Sequence, residues 1–297
     1  MDHGARELAL SEGPQGTFGR LAVTVSPDPD GASYLSHQFA TYPYHLCRPQ
    51  RFEGDPAGMA TVYVQSCAGG IFENDRLTET IVADAGAQVH VTTQASTIVH
   101  SMERGAAQQD VRIVAREGTL VEFLPDPFIL FPQARLASHI RLEVHPSATA
   151  MIAESFPLHD PQACGAFFDK FASEVQVVGP GGELIVLDRS LIEGMRTEAI
   201  PNADPRFRAH GSFLLLCPAA GAPELLDRLR GALERADGTY AGASLLPKEA
   251  GVLVRLPPCR RRLGASDGHD MRLVDGPMAC HRRDAAVAAE VAQGLPL

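Results

Sequence analysis

Three stretches of the chain share one plan, and that plan constrains the fold more than any single motif. They are TETIVADAGAQVHVTTQAS, DVRIVAREGTLVEFLPDPF and IRLEVHPSATAMIAESFPL. Each reads as a strand, a turn of small residues and a second strand, with side chains alternating in period two. The turns centre on Gly86, Gly118 and Ser147, 32 and 29 residues apart. Strand pairs repeating at such a period stack side by side and bury a continuous core between neighbours. The expectation is therefore a mainly β fold of stacked or layered strand pairs, β-solenoid-like or sandwich, and not βαβ units.

The rest of the chain fits that frame. LAVTVS (21–26), MATVYVQSC (59–67) and RLTETIVA (76–83) alternate as strands. SEVQVV and ELIVLDRSLI flank Gly179-Pro180-Gly181-Gly182, a hairpin signal, because glycine supplies the positive φ of a tight reversal. GVLVRLPP (251–258) reads as a further strand and 259–271 as an exposed loop. About two α-helices are expected. In 222–236, Leu225, Leu226, Leu229 and Leu233 form one stripe, which is expected to close the domain's own core in preference to docking a partner protein. In 279–294, an alanine-rich run ends at a glycine. Residues 1–16 read as a flexible arm and 17–297 as a single domain.

Charge and cysteine usage remove whole classes of function. The net charge of −10 and the lack of a basic stripe argue against nucleic acid or an anionic membrane as partner. The six cysteines include no CxxC pair, so neither a disulfide scaffold nor a four-cysteine zinc site is expected. No window reaches membrane-spanning length, and the chain reads as cytoplasmic with reduced thiols. No P-loop or GxGxxG is present, and no GxSxG elbow is read: the GxSxG spacing at Gly264–Gly268 falls within the segment read as an exposed loop. His45 with Cys47, Cys280 with His281, and the single His90 and His100 are isolated metal-ligand types without a second pair at ligand spacing.

Two carboxylates break the apolar rows. Glu122 lies between Leu120 and Leu124, and Glu154 between Ile152 and Phe156. A buried, unpaired carboxylate costs several kcal/mol, so each is paired, neutral or in contact with water. One outcome is an ion pair with an arginine such as Arg76 or Arg135, or a solvated face. Another is an internal polar path. A third is an enzyme that uses Glu122 and Glu154 as acid and base.

The segment GGIFENDRLTETIVADAGAQVHVTTQASTIVHS followed by GTLVEFLPDPFILFPQARL resembles the urease accessory protein UreD (UreH) family. The matching positions are Gly69, Gly70, Asp75, Arg76, Leu77, Gly86, Ala87, Thr92, Thr93, Ala95, Thr97, Glu122, Phe123, Leu124 and Pro125. FATYPYHL (39–46) and LLPKEAGVLVRL (245–256) extend the likeness to roughly residues 20–256. The resemblance implies a non-enzymatic scaffold that assists nickel insertion into apo-urease, in complex with accessory proteins F and G, the latter a GTPase. It implies no resident cofactor, only Ni(II) in transit along an internal path. Asp75, Glu122, Glu154 and His100 are the residues expected on that path. Oxygen ligands suit transit, because they hold Ni(II) more weakly than a Cys/His cage. The departures are Asn74 for a glycine, Ile98 for a lysine, His100 at a tyrosine-like position, and Pro161 and Ala166 for an arginine and a glutamate. They leave room for a divergent protein-binding module serving another metalloprotein.

Overall fold

The computed structural model describes residues 16–157, 159, 166–194, 209–218, 221–235 and 241–256. The strands are β1 (Phe18–Pro27), β2 (Ser33–Ala40), β3 (Tyr44–Leu46), β4 (Ala60–Ser66), β5 (Arg76–Ala83) and β6 (Gln88–Thr93). Then come β7 (Thr97–Val99), β8 (Ala107–Ala115), β9 (Leu120–Phe123), β10 (Phe128–Leu130), β11 (Arg135–Val144) and β12 (Thr149–Pro157). The last are β13 (Lys170–Val178), β14 (Leu184–Glu193), β15 (Ala209–Leu216), β16 (Gly242–Leu245) and β17 (Gly251–Leu256), with helix α1 (Ala222–Arg235) between β15 and β16.

The chain winds between two large sheets. One has the order β14-β13-β11-β8-β5-β1-β2, the other β16-β17-β15-β12-β9-β6-β4-β3. From β5 to β13 successive long strands alternate between the sheets, and neighbours within each sheet run parallel. The short parallel pair β7–β10 forms a third side. The result is a solenoid-like stack whose two broad walls face each other as a sandwich.

The sequence repeat is the coil of this stack. Thr80 pairs with Arg112, and Val111 with Ile140, at the same two spacings as the turns. Each turn closes with the same backbone bond, from Ala87 N to Asp84 O, Thr119 N to Arg116 O and Ala148 N to His145 O. Gly86 and Gly118 adopt φ of 77° and 63°, where a side chain is strained. Ser147 does not, and its hydroxyl instead accepts the Gly118 N–H at 3.0 Å.

The glycine hairpin joins β13 to β14 as expected, with Gly182 at φ 82°. Helix α1 lays Ala222, Leu225, Leu226 and Leu229 on the outer face of the eight-stranded sheet, against Met151, Phe213, Leu215, Val252 and Val254. Each leucine so buried contributes about 2 kcal/mol. The stripe thus closes the domain's own core. The expected helix 279–294, the loop 259–271, the Cys280–His281 pair and all but Gly16 of the arm 1–16 lie outside the described residues. Strands β2, β7, β10, β15 and β16 lie outside the segments expected from alternation: β7, β10 and β16 are short, β2 is mostly exposed, and β15 (AHGSFLLL) carries no regular polar–apolar alternation.

Candidate functional site

Between the two walls most side chains are apolar, and they fall into two clusters. One holds Leu21, Ile81, Val111, Ile140 and Val175, the other Leu77, Ala107, Leu136, Phe156 and Phe171. A polar layer separates them. On the seven-stranded sheet, Gln109, Ser138, Ser173 and Ser190 stand in one register row across β8, β11, β13 and β14. On the facing sheet, Glu154, Ser212 and Arg255 form a row across β12, β15 and β17.

Two carboxylates are buried in this layer. Glu154 accepts hydrogen bonds from the Ser138 hydroxyl at 2.6 Å and from the Ser173 hydroxyl. Burial pushes its carboxyl up, and the two serine bonds oppose that shift. Glu79 accepts from the Tyr44 hydroxyl at 2.9 Å and the Gln109 amide at 2.8 Å. Burial also raises Glu79, against the bonds from Tyr44 and Gln109. Burial, reinforced by Glu79, drives the Tyr44 phenol far above its ordinary range, so it remains an O–H donor. The Gln109 side-chain oxygen is buried without a hydrogen-bond partner, an unmet acceptor in the same layer. At the other end, Arg255 Nη2 donates to both oxygens of Asp188 and ties β17 of one wall to β14 of the other.

The four residues expected on a path do not converge. Glu154 lies in the layer. Glu122 points to the opposite face of the same sheet, where its register partners are His90 and Met151, and it pairs with His90 Nδ1 at 2.8 Å. The expected arginine partners are engaged elsewhere. Arg76 donates to the Asp75 and Ala106 carbonyls, and Arg135 pairs with Asp169 at 2.6 Å. Asp75 accepts the backbone N–H groups of Thr17 at 2.7 Å and Phe72 at 2.8 Å, fixing the loop before β5. His100 stacks on Phe72 at 4.2 Å and meets the edge of Phe131, which itself stacks on His159.

Opposite faces also bear on acid–base chemistry. Glu122 and Glu154 look away from each other through the sheet, so they do not flank a common bond. Among the described residues no three His, Cys, Asp or Glu side chains are grouped to hold a metal ion. His45 bonds Gln65, and Cys47, Cys67 and Cys217 are free thiols. A groove of about 560 Å³ beside β2 is lined by none of the layer's residues.

Glu79 is a buried carboxylate of the layer that lies outside the expected set of path residues. Its signal was the same as that of Glu122, since Leu77, Glu79 and Ile81 alternate as Leu120, Glu122 and Leu124 do. Asn74 accounts for one departure. It sits at φ 67°, a conformation that favours glycine and that asparagine tolerates best among the rest. Ile98 pairs with Ile129 in the third-side sheet, and Pro161 lies outside the described residues.

Fold and interior together define a stacked β scaffold with a polar seam. The profile of the UreD urease accessory protein family matches residues 18–264. Urease accessory protein UreD 1 of Pseudomonas syringae pv. syringae is 38% identical over 235 residues, covering 79% of this chain and 82% of that protein. UreD 1 of Methylorubrum populi is 37% identical, covering 76% of each chain. UreD 1 of Bradyrhizobium sp. BTAi1 is 32% identical over 90% of this chain and 89% of its own. The chain belongs to the UreD family of urease accessory proteins.

Proposed function

We propose that this chain is a maturation scaffold that assists nickel insertion into apo-urease, acting with accessory proteins F and G. Nickel is cargo in this reading, not a resident cofactor. The inter-sheet layer from Glu79 to Glu154 guides it. The observation that carries the reading is the interruption of an apolar solenoid core by carboxylates, hydroxyls and an amide in consecutive coils. Such an interruption costs stability relative to apolar packing. Its donors and acceptors suit a hydrated divalent cation, and oxygen ligands release Ni(II) readily.

Of the four residues expected on the path, Glu154 keeps that role. Asp75, Glu122 and His100 have other work in this reading: loop fixation, pairing with His90, and ring stacking. The setting is cytoplasmic, where free thiols such as Cys47 and Cys67 stay reduced. The opposed faces of Glu122 and Glu154 weigh against the enzyme reading.

The test is urease maturation in cells carrying Glu154→Ala or Glu154→Gln, with nickel per urease measured by elemental analysis. The expected result is poor nickel loading while the variant still co-purifies with its partners. Full loading by both variants sinks the passage. Loss of co-purification with F and G in the wild-type chain sinks the complex.

A further inference from the structure

Among the described residues the two large sheets end in four edge strands, β2, β14, β3 and β16. An open edge is a row of unpaired N–H and C=O groups, and proteins blunt it with shortness, charge or proline. β3 and β16 have three and four residues. β14 carries Asp188, Arg189 and Glu193. β2, SYLSHQFA, runs for eight residues without Lys, Arg, Asp, Glu or Pro. A bulge at Ser36 is its one irregularity, and residues 37–40 keep an unbroken register with β1. Gly58 and Arg51 hold Ser33, through the Ser33 N–H at 2.8 Å and the Ser33 carbonyl at 2.7 Å. From 34 to 40 the described residues pair this backbone with β1 alone. Beside β2 lies the groove of about 560 Å³, bounded on its other side by residues 46–51. Its apolar lining, Leu35, Leu46 and Ala60, is buried or half-buried, and its basic lining, His37, Arg48 and Arg51, is exposed. No carboxylate lines it, although the chain carries a net charge of −10. Arg48 has no hydrogen bond or ion pair among the described residues.

We infer that this groove docks an acidic, extended segment of a partner protein, which adds as a strand to β2 and sets carboxylates against Arg48 and Arg51. The inference stands apart from the nickel passage, whose residues do not line the groove. Main-chain bonds to the free edge of β2 supply affinity, and the two guanidiniums select for acidic side chains. A nucleic acid answers the charge but not the edge, because it has no backbone amides to complete a ladder. A second copy of the chain answers the edge but not the charge. Pairing β2 with β2 brings the same basic residues from both sides, and like charges oppose each other across a strand pair.

The test titrates the full-length chain into a fluorescent synthetic peptide of about eight residues, alternating glutamate and valine, and reads anisotropy. Binding that weakens with added salt is expected. The same peptide with lysine in place of glutamate is expected not to bind. Arg48→Glu with Arg51→Glu is expected to weaken binding at least about tenfold. Arg48→Glu alone gives up no bond in the free protein, moves affinity in the same direction, and replaces the double variant if that fails to fold. N-methylation of the peptide backbone keeps every charge and is expected to abolish binding, because a methylated amide cannot donate to a strand edge. Full binding by the methylated peptide, or by a folded charge-reversed chain, overturns the inference. So does the absence of binding by the acidic peptide, and a dimer in sedimentation equilibrium then names a second copy as the occupant. Tighter binding of a single-stranded RNA of equal charge overturns it in favour of nucleic acid.

Discussion

Glu122 and Glu154 occupy the same kind of row, a carboxylate between two apolar residues on a strand of one sheet. The fold sends them to opposite faces of that sheet. Glu154 looks into the space between the walls, where two serine hydroxyls bind it and burial favours its neutral form. Glu122 looks outward beside the footprint of α1, where a histidine 24% exposed at its side chain meets it. The two positions differ in the company that neighbouring coils supply. A solenoid puts the same register position of adjacent coils in contact, so the residues about 30 positions away decide a carboxylate's state. Asp75 shows a third solution, accepting the backbone N–H groups of Thr17 and Phe72.

The comparison yields stability predictions of decreasing size. Asp75→Ala leaves two backbone N–H groups at a buried site without their acceptor and is expected to cost about 2–4 kcal/mol. Chemical denaturation measures it, and a cost below about 1 kcal/mol would mean that water replaces the carboxylate without penalty.

Next comes pH. The carboxyls of Glu79 and Glu154 are raised in the folded state above the ordinary value near 4.5. A raised carboxyl gives stability that is fully present below that ordinary value and is lost as pH rises through the folded value. Thermal unfolding followed from pH 5 to 8 is expected to show this decline, with a shallower slope in Glu154→Gln. Glu122→Gln is expected to leave the slope from the interior unchanged. Equal slopes in all three proteins would erase the distinction between the two faces.

His90→Ala removes the partner of Glu122 at a site with partial access to water. It is expected to cost about 1–2 kcal/mol, read as a fall in Tm with normal nickel loading of urease. The smallest effect sharpens the role of the turns that bring these rows together. Gly118→Ala, at φ 63°, is expected to cost about 1 kcal/mol, and Ser147→Ala about half that, through the lost bond from Gly118. A larger loss from Ser147→Ala than from Gly118→Ala would contradict the turn geometry.

Much of the coil architecture was legible in the sequence, because turn spacing and strand alternation repeat together. The spacing of Gly86, Gly118 and Ser147 is the register of the sheets themselves. The apolar stripe of 222–236 gave α1 to within a residue of its end. Edge strands such as β2 were not legible, since five of its eight residues are exposed in succession and no alternation marks them. The candidate site was half legible. Period two finds a carboxylate in an apolar row, but it does not say which face of the sheet the row presents. That depends on how coils stack, so Glu122 and Glu154 looked alike. Ser138, Ser173 and Gln109 carry no signal alone, and they matter only because register lines them up opposite Glu154 and beside Glu79.

The account rests on the inner face carrying the cargo and the outer face not. Urease matured in cells with Glu154→Gln and, in parallel, with Glu122→Gln gives the most direct test, with nickel per active site as the readout. The account predicts low nickel with Glu154→Gln and wild-type nickel with Glu122→Gln, both variants folded and partner-bound. Wild-type nickel with Glu154→Gln and low nickel with Glu122→Gln would contradict it.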